Sequence, residues 1–264
     1  PYVPSIDKIS PHFYGYDYIS GARLSDLCDN RLWIEFFHLI DTMYLANIQD
    51  CDLEAFQNNC MQMYYGKTHE RINSHTELNK LDAIKTINGY QVQPIQKLLD
   101  MVDWLKITQK AIPTILHGDL QPENVIYDTD NDRFVLIDWR DRFGDDLYVG
   151  DIYYDLSKLD HALLINGEVV RNHRYKVNIQ NNAGEIEMHI RTNLMDAREL
   201  LKKFCDNKGL DFKHIQLLTA ITILNISSKH SNKEFNRFLF LYGKLLLTKA
   251  IIKDENNQKL NSTI

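Results

Sequence analysis

Three polar side chains near the middle of the sequence have the types and the spacing that phosphoryl transfer requires. The string His117–Asn124 reads His-Gly-Asp-Leu-Gln-Pro-Glu-Asn, and Asp138 follows it after two apolar segments. A carboxylate on a rigid loop, such as that of Asp119, can orient an attacking hydroxyl and accept its proton. The side-chain oxygens of Asn124 and Asp138 are hard ligands of the kind that magnesium prefers. The string therefore has the groups that magnesium-dependent phosphoryl transfer uses.

Short strands and a turn are predicted to position these side chains. Thr114–His117 is typical of a short strand that enters a loop. The β-rich segments Val125–Tyr127 and Phe134–Ile137 flank the polar turn Asp128–Asp132, which predicts a small hairpin. The loop aspartate and asparagine would then precede the hairpin, and the second aspartate would follow it directly.

Most of the remaining sequence has apolar residues at helical spacing, so the fold class expected is α+β, mainly α. A strand is expected at His12–Ile19, and a second hairpin at Arg174–Gln180 with Glu185–Arg191. Pro94 is suited to the first position of a helix. The predicted helices are Leu32–Ile48, Leu53–Tyr65, Pro94–Thr108, Ile152–Leu164, Leu194–Cys205, Phe212–Ser227 and Lys233–Lys253.

Composition and charge exclude several classes of protein. The 264 residues are 44% hydrophobic and 25% charged, as in a globular protein with a core. The net charge of −6 does not favour binding to nucleic acid. No segment reaches the roughly 18 apolar residues of a membrane span. The four cysteines lie at scattered spacings without a CxxC pair, which favours reduced thiols and a cytoplasmic location.

The string His117–Asn124, with Asp138 after the hairpin, resembles the aminoglycoside phosphotransferase and choline kinase-like family, whose fold is that of the protein kinases. This resemblance implies Asp119 as the catalytic base, Asn124 and Asp138 as ligands of Mg²⁺, and ATP or GTP as the phosphate donor. It also implies that His117 braces the loop as a buried side chain and does not move protons. The alternative is a solvated loop between two strands.

Departures from the protein-kinase signature favour a small-molecule acceptor. Gly118 stands in place of the arginine of H-R-D, Trp139 follows the second aspartate in place of Phe-Gly, and no A-P-E string follows. We therefore expect a sugar- or amino-alcohol-like hydroxyl compound as acceptor and rank a protein kinase last. The segment 138–159 also resembles phosphotransferase-like proteins of bacterial capsule and surface-polysaccharide pathways, which favours a sugar.

Two further segments resemble parts of the same family. Gly150–Leu159 is similar to its G-D-x-x-x-D-L-A segment, in which Asp151 and Asp155 are expected to support the catalytic loop, His117–Asn124. Capping of a helix is the alternative role of Asp151. Tyr14–Gly21 resembles the strand and hinge between the two kinase lobes. There the backbone of Asp17, Tyr18 and Ile19 would bind the base of the nucleotide, and a simple edge strand is the alternative.

Two basic groups are candidates for binding the acceptor. Lys67 and Arg71 stand four residues apart and share one face of a helix if that helix continues past Gly66. Like charges at this spacing repel, and an anionic ligand such as a sugar phosphate would relieve the repulsion. Arg140 follows the second aspartate and would lie near the acceptor. A solvated basic face and a charged turn are the respective alternatives.

The resemblance also predicts a division of the chain. A kinase fold has a glycine-rich loop and a strand lysine before the hinge, whereas no G-x-G-x-x-G occurs in this sequence. We expect residues 1–22 to be the end of a small lobe and the hinge, 23–253 a kinase-like large lobe, and 254–264 a polar tail, in a carboxy-terminal portion of a longer enzyme. The rival function is a non-catalytic pseudokinase or binding module in polysaccharide assembly.

Overall fold

The computed structural model describes residues 2–261, and the side chains of these residues except Thr76, Glu77 and 253–261. Helices make up most of it. In chain order they are α1 (Asn30–Met43), α2 (Leu53–Met61), α3 (Lys67–Asn73), α4 (Thr76–Asn79), α5 (Ile95–Asp100), α6 (Trp104–Gln109), α7 (Ile152–Leu164), α8 (Gly167–Arg171), α9 (Thr192–Lys208), α10 (Phe212–Ile226) and α11 (Lys233–Asn261).

The strands are short and form small separate sheets. They are β1 (Lys8–Ile9), β2 (Tyr14–Gly15), β3 (Ala22–Arg23), β4 (Thr86–Ile87), β5 (Tyr90–Gln91), β6 (Pro113–Thr114), β7 (Val125–Asp128), β8 (Arg133–Leu136), β9 (Gly150–Asp151), β10 (Tyr175–Gln180) and β11 (Ala183–Met188). The sheets have the orders β1-β2, β3-β7-β8, β6-β9 and β10-β11-β4-β5. The predicted mixture, mainly helical with a few strands, is confirmed.

Helix α1 packs behind the β7–β8 hairpin. It begins at Asn30 because the Asp29 side chain accepts a hydrogen bond from the backbone N–H of Arg31. One face of α1 is buried, and its Phe36 ring lies 5.8 Å from the Phe134 ring of β8, centre to centre. Burying an aromatic side chain of this size stabilises a fold by about 1.5–3 kcal/mol. The hairpin is therefore fixed by its packing against α1.

Helix α7 lies in the interior. Its N-cap is the buried Asp151, whose side chain accepts a hydrogen bond from the backbone N–H of Tyr153. Nearly every residue of α7 is buried, and the helix packs against α9 and α10. A helix that is enclosed on all sides offers rigid positions to its polar side chains. Its bounds agree with the prediction.

Helix α2 continues without a break into α3 through the π-helical segment Gln62–Gly66. The prediction ended this helix at Tyr65. Gly66 instead keeps helical backbone angles, with φ −56° and ψ −55°. A π-helical turn holds one more residue than an α-helical turn, so it takes up Gly66 without ending the helix. Residues 67–73 therefore continue the same rod.

Two expected elements differ from the structure. The predicted helix Pro94–Thr108 is two helices, because Asp103 accepts a hydrogen bond from the backbone N–H of Lys106 and starts α6 anew. Pro94 is the N-cap of α5 and not its first helical residue. The strand expected over His12–Ile19 is confined to Tyr14–Gly15, whose partner is the two-residue β1. A strand that lacks a longer partner has no ladder to extend along.

Other elements also differ from the prediction. Helix α11 extends to Asn261, beyond the expected end at Lys253, and the last three residues of the expected tail lie outside the described residues. The β4–β5 hairpin was not predicted. It turns at Asn88 and Gly89, with φ of 48° and 78°, and Asn-Gly is the preferred pair for such turns. The division at residues 22 and 253 stays a prediction.

Two general expectations concern the membrane and the thiols. Over residues 2–261, no helix is both long enough and apolar enough to cross a bilayer. The four cysteines are free thiols: Cys28, Cys51, Cys60 and Cys205. Cys60 and Cys205 are buried in the core.

Candidate active site

Three side chains hold the carboxylate of Asp119. Arg140 Nη2 donates to Oδ2 over 2.8 Å, Gln121 Nε2 donates to Oδ1 over 2.8 Å, and Lys158 Nζ lies 3.3 Å from Oδ1. Burial acts to raise the pKa of Asp119, but the charge of Lys158 and the hydrogen bonds from Arg140 and Gln121 outweigh it and lower the pKa. Asp119 is therefore ionised at neutral pH, as a group that orients a hydroxyl must be.

The buried carboxylate of Asp155 fixes the start of the catalytic loop. Its Oδ2 accepts the backbone N–H of His117 over 2.7 Å and the Tyr44 hydroxyl over 3.0 Å, and its Oδ1 accepts the N–H of Gly118 over 2.8 Å. Burial raises the pKa of Asp155 to about 7, against the lowering effect of these bonds. Buried amide donors need such acceptors. Asp155 thereby ties the loop to α7.

Gly118 lies where the loop and Arg140 come closest. Its φ is +81°, in the region that favours glycine, and a Cβ there would lie 2.5 Å from the Cβ of Arg140. The glycine in place of the arginine of H-R-D therefore has a structural cause. It lets Arg140 pass over the loop and reach the carboxylate of Asp119.

The side chain of Asn124 folds back on the catalytic loop. Its Nδ2 donates to the carbonyl oxygen of Asp119 over 2.9 Å. The same carbonyl accepts the backbone N–H of Gln121 over 2.7 Å, which closes a tight turn. Because Nδ2 is engaged, Oδ1 is the atom of Asn124 that can ligate a metal.

Two backbone hydrogen bonds tie the segment around Asp138 to the same loop. The N–H of Ile137 donates to the carbonyl of Asn124 over 2.9 Å, and the N–H of Arg140 donates to the carbonyl of His117 over 2.8 Å. Asp138 lies between them, with a φ of +60°, which costs a non-glycine residue about 1–3 kcal/mol. Its exposed carboxylate makes no hydrogen bond or ion pair with any residue that the structure describes.

The oxygen donors of Asn124 and Asp138 are of the kind that magnesium takes when phosphates complete its ligands. Protein sites for Mg²⁺ commonly offer one or two carboxylates and take the remaining ligands from phosphates and water. Asn124 Oδ1 and the free carboxylate of Asp138 supply such a partial set. Among the described residues, no group of three or more His, Cys, Asp or Glu could hold a metal without further ligands.

His117 lies under the loop and is fully buried. Its ring centre lies 4.7 Å from that of Trp139, and its Nδ1 accepts the backbone N–H of Asp119 over 3.3 Å. Burial lowers the pKa of His117 to about 4, although the charge of Asp119 acts in the other direction. The imidazole is therefore neutral at physiological pH, and its contacts are those of a bracing side chain.

Asp151 joins α7 to the strand before the loop. Its Oδ2 accepts the Tyr64 hydroxyl over 2.6 Å, and its Oδ1 accepts the backbone N–H of Ile112 over 3.0 Å and of Tyr153 over 3.1 Å. Burial raises the pKa of Asp151 to about 6, against the lowering effect of these bonds. The side chain of Asp151 makes none of these contacts with the catalytic loop, and it caps the N-terminus of α7.

The expected hinge residues lie apart from the catalytic loop. Asp17, Tyr18 and Ile19 line a cavity of about 330 Å³ together with the β7–β8 turn, including Asp128 and Arg133. The catalytic loop lies at the other end of that hairpin, roughly 13 Å away along four strand residues. The structure does not bring the two groups into contact, and the binding of a base at the hinge stays a prediction.

The three candidate acceptor residues lie in two places: Lys67 and Arg71 are near Lys158, and Arg140 is at Asp119. Lys67 and Arg71 line one small cavity together with Lys158. Arg71 Nη1 donates to the carbonyl of Asn225, at the end of α10, over 3.1 Å. Arg140 contacts the carboxylate of Asp119.

Lys158 was not predicted as a site residue, although the sequence carries a signal for it. Asp151, Asp155 and Lys158 have the spacing i, i+4, i+7 and share one face of a helix. Two of these side chains were expected to face the catalytic loop. The third therefore had to point the same way, and in the structure it reaches Asp119.

One family model matches the central part of the chain. Residues 44–165 match the profile of a family described as APH, the phosphotransferase enzyme family. No match was found among curated proteins.

Two solved structures resemble the chain. Choline kinase from Cryptosporidium parvum Iowa II is 12% identical, with a TM-score of 0.43 over 98% of this chain and 75% of that one. Ethanolamine kinase from Plasmodium vivax is 12% identical, with a TM-score of 0.42 over 94% of this chain and 67% of that one.

The matched residues 44–165 contain the structural parts of the site described above. They include the catalytic loop, the β7–β8 hairpin with Asp138 after it, and α7 with Asp155 and Lys158. The segment that assembles the candidate site is therefore the segment that matches the phosphotransferase enzyme family.

Proposed function

We propose that the chain is a phosphotransferase that moves the γ-phosphoryl group of a nucleoside triphosphate to a hydroxyl of a small molecule. The observation that carries this proposal is the set of contacts around Asp119. A buried, ionised carboxylate lies on a loop that is tied to α7, and two cations contact it. The match of residues 44–165 to a family of phosphotransferases supports the same reaction.

Each residue around Asp119 has a separate role in the proposed transfer. Asp119 orients the acceptor hydroxyl and takes its proton while the new O–P bond forms and the bond to the leaving nucleoside diphosphate breaks. Arg140 offers positive charge where the phosphoryl oxygens must pass, and Lys158 helps to keep Asp119 ionised. Asn124 and Asp138 would hold Mg²⁺, which when bound neutralises the phosphates.

The sequence bears on finer points that belong to the same proposal. A sugar-related acceptor in capsule or surface-polysaccharide synthesis follows from the resemblance of residues 138–159. An amino alcohol is the alternative acceptor. ATP and GTP are both compatible with a hinge that uses backbone atoms of Asp17, Tyr18 and Ile19. A cytoplasmic location agrees with the use of nucleoside triphosphates.

Asp119→Asn in the full-length protein tests the reaction. We expect phosphoryl transfer to a panel of sugars and amino alcohols to fall by about 10²–10⁴-fold, because the amide cannot accept the hydroxyl proton. The assay follows nucleoside diphosphate release with magnesium present. Asp100→Asn, an exposed residue of α5, is the matched control and should keep full activity.

Magnesium-dependent nucleotide binding separates the two functional classes. Asp138→Asn should weaken the binding of Mg-ATP and Mg-GTP, as measured by calorimetry, because the site loses its charged ligand. Turnover that is the same in Asp119→Asn and in the wild type would remove Asp119 from the mechanism. Absence of magnesium-dependent nucleotide binding in the full-length protein would favour the non-catalytic module.

A further inference from the structure

Three cations line one cavity, and we call them the basic cluster: Lys67 and Arg71 of α3 and Lys158 of α7. All three line a cavity of about 20 Å³, and no acidic side chain lines it with them. A volume of this size holds about one water molecule. A ligand would therefore present one small group to the cluster and remain outside with the rest of its atoms.

Lys158 connects the basic cluster with the catalytic carboxylate. Its Nζ lies 3.3 Å from Asp119 Oδ1 and 5.7 Å from the ring centre of Tyr154. The Nζ of Lys67 lies 6.0 Å from the centre of the same ring. A molecule whose hydroxyl faces Asp119 would therefore extend its next few atoms over Tyr154 toward Lys67.

The positive charge of the basic cluster is only partly compensated. Lys158 has Asp119, and Arg71 donates to the carbonyl of Asn225. The half-buried ammonium of Lys67 has no hydrogen bond or ion pair with any residue that the structure describes. A cation in that position has lost part of its hydration and gains only the face of the Tyr154 ring, so its charge is not neutralised until an anion binds.

The cluster also argues against a cationic acceptor. An aromatic ring is the group that usually receives a quaternary ammonium ion. At Tyr154 two ammonium groups already lie near the ring, at 6.0 Å and 5.7 Å from its centre. A third cation would meet their charge, whereas an anion would be attracted by both.

We propose that the acceptor carries an anionic group, a phosphate or a carboxylate, which Lys67 and Lys158 bind while the hydroxyl faces Asp119. Arg71 adds charge from the side of α10. The inference rests on the proposed phosphoryl transfer and names the chemical class of its substrate: a small hydroxyl compound with a negative charge a few bonds from the reacting oxygen.

Inorganic sulfate can test the basic cluster before the acceptor is known. We expect calorimetry at pH 7, with Mg-nucleotide present, to detect sulfate binding to the full-length protein. Lys67→Met should weaken this binding at least about tenfold, because a charged hydrogen bond is lost. Lys97→Met removes the same charge from an exposed position of α5 and should bind sulfate as the wild type does.

The pH dependence gives a second readout. Burial and the charges of Arg71, Lys158, Lys229 and Arg140 lower the pKa of Lys67 to about 8. Sulfate keeps its charge between pH 7 and 9, and burial raises the pKa of the neighbouring hydroxyls of Tyr154 and Tyr64. The affinity of the wild type for sulfate should therefore fall over this range, and that of Lys67→Met should change less.

Transfer assays complete the test and distinguish the two anionic groups. Glucose, glucuronate and glucose 6-phosphate compare a neutral acceptor with a carboxylate and a phosphate, and choline supplies the cationic case. Preference for either anion over glucose supports the inference. Preference for glucose or choline, or sulfate binding that is absent or equal in the wild type and Lys67→Met, overturns it.

Failure of this inference can be told apart from failure of the proposed function. Nucleotide binding that depends on Asp138, combined with sulfate binding that does not depend on Lys67, would leave the phosphotransferase proposal intact and reject the anionic acceptor. Loss of all magnesium-dependent nucleotide binding would reject both. Lys67→Met that binds nucleotide as the wild type does is folded, so its sulfate result is decisive.

Discussion

Replacement of Gly118 by alanine is a direct test of the close contact between the catalytic loop and Arg140. A Cβ at position 118 would lie 2.5 Å from the Cβ and 2.7 Å from the Cγ of Arg140. Carbon atoms in favourable contact are about 3.5–4.0 Å apart. Either the loop or the Arg140 side chain must therefore move, and with it the contact between Arg140 and Asp119.

The expected cost has two parts. A φ of +81° in a non-glycine residue costs about 1–2 kcal/mol, and an extra methyl group in a packed position costs about 1–3 kcal/mol. Gly118→Ala should thus lower the free energy of unfolding by roughly 2–5 kcal/mol. Gly89→Ala is the matched control, because Gly89 has a φ of +78° and no atom within 4 Å of its added Cβ. Only the backbone cost applies there.

Urea unfolding at pH 7 and the transfer assay together measure the effect. The two alanine variants share the backbone cost and the stiffening of the unfolded chain, so their difference isolates the contact with Arg140. We expect Gly118→Ala to be less stable than Gly89→Ala by about 1–3 kcal/mol and to turn over at least tenfold more slowly. Equal stability and equal turnover of the two variants would refute the close approach.

Two further outcomes concern α7. Asp155→Asn leaves one of three buried donors without an acceptor, so it should lower stability by about 1–3 kcal/mol at pH 8 and slow turnover; unchanged turnover would contradict its hold on the loop. Because burial raises the pKa of Asp155 to about 7, the stability of the wild type relative to this variant should fall from about pH 4 to pH 7 and then level off. His161 has two ring nitrogens without a partner, and burial lowers its pKa from 6.5 to about 3. At pH 5 His161 is protonated in the unfolded chain but not in the fold. The free energy of unfolding of the wild type, measured with urea, should therefore be about 2 kcal/mol lower at pH 5 than above pH 6.5. His161→Leu should not show this loss, and parallel pH profiles of the two proteins would argue against it.

The local features of the site could be predicted from the sequence. The β7–β8 hairpin and α7 depend on signals within a few residues: alternating apolar side chains, a polar turn, and an aspartate at an N-cap. The segment His117–Asn124 depends on equally local signals. Gly118 adopts a positive φ, and Asn124 bonds to a carbonyl five residues before it. These elements have the bounds, or nearly the bounds, that the sequence predicts.

The contacts between distant segments could not be predicted in the same way. The spacing of Lys158 predicts its face of α7 but not its distance from Asp119, and Tyr44 reaches Asp155 from the end of α1. No spacing in the sequence reports such distances, which depend on how α1 and α7 pack. The prediction of a strand over His12–Ile19 was wrong for a related reason. The aromatic residues of this segment favour a strand only where a partner strand is present.

The π-helical segment Gln62–Gly66 lets the length of its helix vary without turning the residues that follow. One residue of α-helix rotates the chain by about 100°, whereas a π-helical turn holds one extra residue within the same turn. Deleting one residue from Gln62–Gly66 should therefore restore α-helical winding and leave Lys67 facing the Tyr154 ring. Deleting one residue from the α-helical part of α2 should instead rotate Lys67 away from that ring.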